Sequence, residues 1–272
     1  MTESFRDFEH AGWADPTVCA RYDDLLSSLT TQSIAPMLDA AGVKTGSVVL
    51  DVATGAGYAA GASLARGAQV TGTDFSAEQV RLAKQRFPAA GFVEADAGNL
   101  PFASVTFDAV VANYGVLHFP EPDRFFREAF RVLKSGGRLA FTVWDTPQQA
   151  KLFGAVLAAV NAHGSMDVGL PGGPNMFLFA DAATSEAAMA SAGFKDVVVT
   201  QVPQTWRPSS SEQILLTVKT GTVRMRGILQ RQQAEALDAI DDAILATLEP
   251  FRKGLSGYEV PMPATLTTAS KA

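Results

Sequence analysis

The sequence predicts an α/β fold: a doubly wound, mostly parallel sheet with helical insertions. Three observations carry this. Short β-branched runs alternate with helical stretches from residue 47 to residue 144, which is the rhythm of a parallel sheet with right-handed crossovers. The first run, 47–52 (SVVLDV), opens into a glycine-rich turn over 54–61. The run 107–113 (FDAVVAN) is almost wholly apolar, as a strand covered on both faces must be.

The elements follow in order. After the first strand a short helix is expected over 59–66, stopped by Gly67 as a C-cap. A second strand reads over 69–74 (QVTGTD). Ser76 opens the capping box SAEQ, so a helix is expected from there to about Arg86, before Pro88. A third strand is expected over 92–96 (FVEAD), then the apolar fourth strand, then an amphipathic helix over 123–133. The fifth strand is 138–144 (RLAFTVW). Beyond it the rhythm changes. An apolar helix is expected over 147–163, a Gly/Pro loop over 164–174 and an Ala-rich helix over 184–192. A strand is expected over 194–206, largely helical chain over 212–248, and a last strand over 261–270.

Composition sets the outer limits. Of 272 residues, 47% are hydrophobic and 18% charged, which suits a packed core and excludes bulk disorder. Lys and Arg number 22 against 28 Asp and Glu, a net charge of −6, so no basic field for nucleic acid is expected. A single cysteine, Cys19, excludes an internal disulfide and a cysteine-based zinc cluster. No His/Asp/Glu spacing resembles a metal site, and none is expected. No apolar run approaches the ~20 residues of a membrane helix. The opening MTESFRDFEH has no apolar stretch of a signal peptide, so a cytoplasmic protein is expected.

The chemistry falls at the carboxyl ends of the strands, where open α/β sheets bind ligands. Glycines in 51–57 (DVATGAG) allow close approach of a backbone and aim N–H groups at a ligand. Asp74 ends the second strand, 19 residues beyond Gly55, where a carboxylate can accept both hydroxyls of a ribose.

The stretches VLDVATGAG (49–57), TGTD (71–74), VEADAGNLPF (93–102), FDAVVANYGVLHF (107–119), RVLKSGGRLAFTVW (131–144) and SAGF (191–194) together resemble the class I S-adenosylmethionine-dependent methyltransferases. Within these, the chain is similar to the small-molecule branch with the ubiquinone/menaquinone-type enzymes. The likeness is close over 43–144 and faint in the late helices. It implies a seven-stranded Rossmann-like sheet with the last strand antiparallel. The cofactor would be S-adenosyl-L-methionine, with S-adenosyl-L-homocysteine as product. The implied layout is a helical arm over 1–44 closing on the cofactor and a cofactor core over 45–145. An insert over 146–191, a core strand over 192–206, a helical cap over 207–257 and a final strand over 258–272 follow.

Residue by residue, the resemblance implies that Asp51 and the loop Ala53, Thr54, Gly55 and Gly57 hold the methionine end. Asp74 would grip the ribose and Phe75 flank the adenine, with Asp96 and the Ala97 N–H at its polar edge. Asn113 would lie near the sulfonium and Tyr22 would close over the cofactor. His118, just past the fourth strand, is the candidate general base, against the plainer reading of a packing or capping histidine. Phe153, Leu157, Met176, Phe177, Phe179, Trp206, Met225 and Leu229 either line an acceptor pocket or simply pack the cap. Lys219, Arg224, Arg226 and Arg231, and the acids Glu235, Asp238, Asp241, Asp242 and Glu249, read as two solvated helix faces of opposite charge. The expected partner is a small molecule.

Two other readings stay open at this level. GxGxxxG over 55–61 with Asp74 also suits an NAD(P)-dependent oxidoreductase, although no tyrosine has a lysine four residues on. A cofactor-binding protein without transfer, or a protein methyltransferase, is the other.

Overall fold

The computed structural model describes residues 3–254 and 257–272. Residues 1–2 of the expected arm, and 255–256 in the expected cap just before the last strand, lie outside the described residues. The chain divides into two compact units. The first is Met1–Leu29, Asp145–Gly172 and Pro203–Pro263; the second is Thr30–Trp144, Gly173–Val202 and Ala264–Ala272.

In chain order the helices are α1 (Phe5–Ala14), α2 (Pro16–Thr30), α3 (Ile34–Ala40), α4 (Tyr58–Ala65), α5 (Ala77–Arg86), α6 (Pro122–Val132), α7 (Lys151–His163), α8 (Ala182–Ser191), α9 (Ser211–Thr220), α10 (Val223–Gln230) and α11 (Ala234–Leu248). The strands are β1 (Val48–Val52), β2 (Gln69–Asp74), β3 (Gly91–Glu94), β4 (Phe107–Asn113), β5 (Leu133–Trp144), β6 (Lys195–Val202), β7 (Thr205–Trp206), β8 (Arg252–Lys253), β9 (Gly257–Tyr258), β10 (Val260–Pro261) and β11 (Ala264–Ser270).

The second unit holds a seven-stranded sheet in the order β3-β2-β1-β4-β5-β11-β6. Only β11 runs antiparallel to its neighbours, Ala264 standing opposite both Trp144 and Val202. The expected mixed sheet is therefore present, with its last strand reversed. The order turns back between β1 and β4, and both strands are apolar enough to be buried on two faces. Against them α6 lays Phe125, Phe126, Ala129 and Val132, all fully buried. Phe126 meets Phe141 of β5 at 5.4 Å and Phe179 edge-on at 5.3 Å, and each such ring contributes roughly 1.5–3 kcal/mol by leaving water. Phe179 is thus part of this core and not of a cap pocket, because a ring set among Phe126 and Phe141 is fixed by aromatic packing.

The first unit is helical, with two short ribbons, β7-β10 and β8-β9. Its α7 and α11 pack along one another, burying Leu152, Phe153, Val156 and Val160 against Ile240, Ile244 and Leu248. Trp206 is 1% exposed and its indole N–H donates to the Leu25 carbonyl at 3.3 Å. The two solvated faces read from sequence are not separate here. Lys219 of α9 and Asp241 of α11 form an ion pair, and Arg224 lies over the Phe5 ring at 5.0 Å. Among the described residues no helix is long and apolar enough to cross a membrane, and no three metal-ligating side chains cluster.

Several boundaries differ from the sequence expectation, each for a local reason. The strand expected over 194–206 is two elements: β6 stops before Pro203, and Thr205–Trp206 pairs instead with Val260–Pro261. A proline cannot donate to a ladder. Pro263 divides the expected 261–270 strand in the same way, leaving β10 on one side and β11 on the other. The helical stretch over 212–248 breaks twice, at Gly221 and at 231–233, into α9, α10 and α11. The third strand ends at Glu94, so Asp96 falls in the following turn. The apolar helix begins at Lys151, four residues later than expected.

Candidate functional site

β1 delivers Asp51 to the carboxyl edge of the sheet, opposite Gly72 of β2 and Val111 of β4. Asp51 is 1% exposed. Its Oδ2 accepts from the Thr54 hydroxyl at 2.6 Å, and its Oδ1 has no hydrogen-bond partner. Burial pushes its pKa up to about 7, against the pull of the Thr54 hydroxyl, and the neighbouring Asp74 charge adds to the rise.

The loop that follows is bent by three left-handed residues: Ala53, Gly55 and Gly57, at φ 53°, 54° and 87°. Gly55 needs glycine for its backbone alone, since a Cβ there would meet nothing within 4 Å. Its N–H donates to Asp74 Oδ2 at 2.9 Å. Gly57 caps α4. Ala53 holds the same hand with a side chain, which costs about 1–2 kcal/mol. Part of that is offset by the stiffer unfolded chain. Ala53→Gly is therefore expected to stabilise the chain by about 0.5–1 kcal/mol, a rise of roughly 2 °C in thermal midpoint. A fall would show the methyl group to be packed productively.

Asp74 ends β2 and is 6% exposed. Its Oδ1 accepts from the Ser76 amide at 3.0 Å. Burial raises its pKa; the Ser76 and Gly55 amides and the His118 charge pull it back. One carboxylate thus ties the glycine loop to the start of α5, where Ser76 caps the helix by accepting from the Gln79 amide. Phe75, beside it, is half-buried.

Asp96 is half-buried in an Asx turn, its Oδ1 accepting from the Gly98 amide at 2.8 Å. Ala97 packs on the aromatic core. What holds this loop is a pair the motif reading passed over. Glu128 and Arg131, three apart on α6, form a two-pronged ion pair at 2.7 Å. Arg131 also donates to the Phe102 and Leu100 carbonyls, and Glu128 accepts from the Leu100 amide. The E-x-x-R spacing carried that signal.

Asn113, at the end of β4, is engaged on every side. Its Nδ2 donates to the Thr30 carbonyl at 2.9 Å, and its Oδ1 accepts from the Ser33 and Thr142 hydroxyls at 2.8 and 2.7 Å. Its side chain joins β4 and β5 to the last residue of α2 and the turn that follows it. The next residue, Tyr114, is left-handed at φ 56° and its buried ring lies 4.1 Å from Trp144. Sequence gave no hint of this strained aromatic. Gly115 then passes so close to the first loop that a Cβ would stand 2.6 Å from the Ala53 Cβ. His118 ends a short 3-10 turn, half-buried, with its charge reaching Asp74. Thus Asp51, Ala53, Thr54, Gly55, Gly57, Asp74, Phe75, Asp96, Ala97, Asn113 and His118 all lie in the second unit. Tyr22 lies in the first, on α2, edge-on to Trp13 at 5.1 Å.

Ionised Asp51 is disfavoured by its burial, so linkage fixes a sign. The native state holds its proton up to about pH 7, whereas an open chain loses it near 3.8. The unfolded chain binds fewer protons between those values, so stability falls as pH rises through that window and levels off above it. Asp51→Asn is expected to flatten this slope and to raise stability at pH 8 by about 2 kcal/mol, after allowing for a buried amide without a partner. Parallel denaturation curves at pH 5 and pH 8 check it; equal shifts at both would contradict the burial argument.

Residues 50–141 match the methyltransferase domain family. The matched stretch carries β1 from Leu50 through most of β5, about a third of the chain. The chain is 37% identical over 134 residues to a demethylmenaquinone methyltransferase of Paenarthrobacter aurescens, covering 48% of this chain and 53% of that one. It is 36% identical over 128 residues to its counterpart in Clavibacter sepedonicus, covering 46% and 49%. The chain therefore spans about half the length of the curated relatives it matches. Among solved structures, the Haemonchus contortus phosphoethanolamine N-methyltransferase 2 bound to S-adenosyl-L-methionine superposes with a TM-score of 0.61 at 19% identity, over 99% of this chain and 60% of that one. The YcgJ protein of Bacillus subtilis gives 0.57 at 18%, over 88% and 97%. At these identities the likeness is one of fold.

Proposed function

We propose that the chain is an S-adenosylmethionine-dependent methyltransferase acting on a small, partly apolar organic acceptor. The observation that carries this is the glycine loop of β1 placed between two buried carboxylates, Asp51 and Asp74, on adjacent strand ends. The residues fit the cofactor. The orphaned Oδ1 of Asp51 suits the methionine ammonium. Asp74, with lone pairs left beyond its backbone amides, suits the ribose hydroxyls. The open space above Gly55 admits a ligand against the backbone. Phe75, Asp96 and Ala97 are assigned to the adenine.

When bound, the sulfonium supplies a methyl group already activated for displacement. The chain's part is to fix the acceptor atom and the methyl about 3–3.5 Å apart and to keep water out. His118 is assigned as the group that takes a proton from an acceptor that still carries one. Asn113 is assigned to placing the β4 edge, through Thr30, Ser33 and Thr142. The acceptor class follows the relatives, whose name declares demethylmenaquinone; ring-bearing quinols are the first candidates. Incubation with methyl-labelled cofactor and a panel of quinols, phenols and amines tests the reading. Label appearing in an extractable small molecule supports it. Label appearing only on protein would move the reading to a protein methyltransferase.

A further inference from the structure

Asp51 of β1 stands opposite Gly72 of β2, two residues before Asp74 ends that strand; the two acids are 1% and 6% exposed, and neither is paired with a lysine or arginine among the described residues. Their partners are neutral: the Thr54 hydroxyl and the Ala60 amide for Asp51, and the Gly55, Ser76 and Phe75 amides for Asp74. From β2 the Asp74 charge faces Asp51; from the loop after β4 the His118 charge faces Asp74; from α4 the Ala60 amide approaches Asp51. Two carboxylates this deep, one within reach of the other's charge, are not both readily ionised without a cation. Asp51 Oδ1 is buried and, beyond the approach of the Ala60 amide, makes no hydrogen bond of good geometry, which leaves it the acceptor with capacity to spare.

We propose that cofactor capture is coupled to a proton at Asp51. The acid carries its proton until the ammonium of the ligand docks on Oδ1, and the proton then passes to bulk solvent. The carboxyl O–H bond breaks, an N–H···O hydrogen bond to the carboxylate takes its place, and no other group changes charge. This deepens the reading under Proposed function and rests on it. Affinity then rises with pH, up to about tenfold for each pH step well below 7, and levels off above. A chain that holds the ligand through neutral contacts would show no such slope.

The test is calorimetry with S-adenosyl-L-homocysteine, which has the ammonium but transfers nothing, in phosphate and in Tris at pH 6, 7 and 8. With a pKa of about 7, the buffer dependence of the heat should report release of about nine-tenths, one-half and one-tenth of a proton per ligand. His118→Gln should keep that release; Asp51→Asn should abolish it. In case the Asn variant binds nothing, carboxyl carbon NMR of the wild-type chain gives a second reading. The Asp51 signal should titrate near pH 7 alone and below pH 5 with the ligand saturating. Binding with buffer-independent heats at pH 6, or an Asp51 signal titrating below pH 5 in the free chain, overturns the proton coupling and leaves the methyltransferase reading standing. No binding of the ligand at any pH overturns both.

Discussion

Replacing Asp74 with alanine is expected to weaken S-adenosylmethionine binding by roughly 30- to 1000-fold, or about 2–4 kcal/mol. A charge-assisted pair of hydrogen bonds to the ribose would be lost. The same carboxylate also accepts from the Gly55 amide at 2.9 Å and the Ser76 amide at 3.0 Å, so the glycine loop would lose its anchor as well. The two contributions separate in Asp74→Asn, which keeps one acceptor oxygen for the backbone and loses the charge. That variant should fall between wild type and alanine. Equilibrium titration, with thermal unfolding to check that each variant folds, makes the measurement. An unchanged dissociation constant in the alanine variant would place the ribose elsewhere.

Replacing His118 with glutamine is expected to lower turnover about 100-fold or more while leaving the cofactor dissociation constant within twofold, since general-base catalysis contributes on this scale. The half-buried ring sits beyond β4, with its charge reaching Asp74. Glutamine keeps the polarity and approximate length without a proton-accepting nitrogen. Loss confined to turnover assigns the base. Unchanged turnover removes His118 from the chemistry and implies an acceptor that arrives ionised. A loss confined to cofactor affinity would instead make it a support for Asp74.

The sheet was legible because its strands obey simple rules. β2 and β4 fall where the 69–74 and 107–113 runs place them, and Ser76 caps α5 as its capping box requires. The positions of the glycine loop, and of Asp74 at a strand end 19 positions beyond Gly55, were legible from the residues; Asp51 entered only through the family resemblance. What escaped depends on residues far apart in the chain. Pro203 and Pro263 each end pairing, the first passing the next residues to the β7-β10 ribbon and the second passing them to the seven-stranded sheet, which no local pattern distinguishes from a strand continuing. Asn113 reads as a strand-end polar residue; its partners Ser33 and Thr142 lie 80 and 29 positions away. The vacancy at Asp51 Oδ1 and the left-handed turn at Tyr114 are likewise properties of packing. The apolar residues of the late helices were ambiguous because apolar lining and apolar core use the same side chains. Trp206, Met225 and Leu229 are buried in the first unit, and Phe179 in the core of the second.

The most direct test of the central claim is calorimetry of the purified chain against S-adenosyl-L-methionine, S-adenosyl-L-homocysteine and NAD(H) under one set of conditions. One-to-one binding of both sulfur nucleosides, with no heat from NAD(H), is the expected result. Tight NAD(H) binding with no response to either sulfur nucleoside would contradict it.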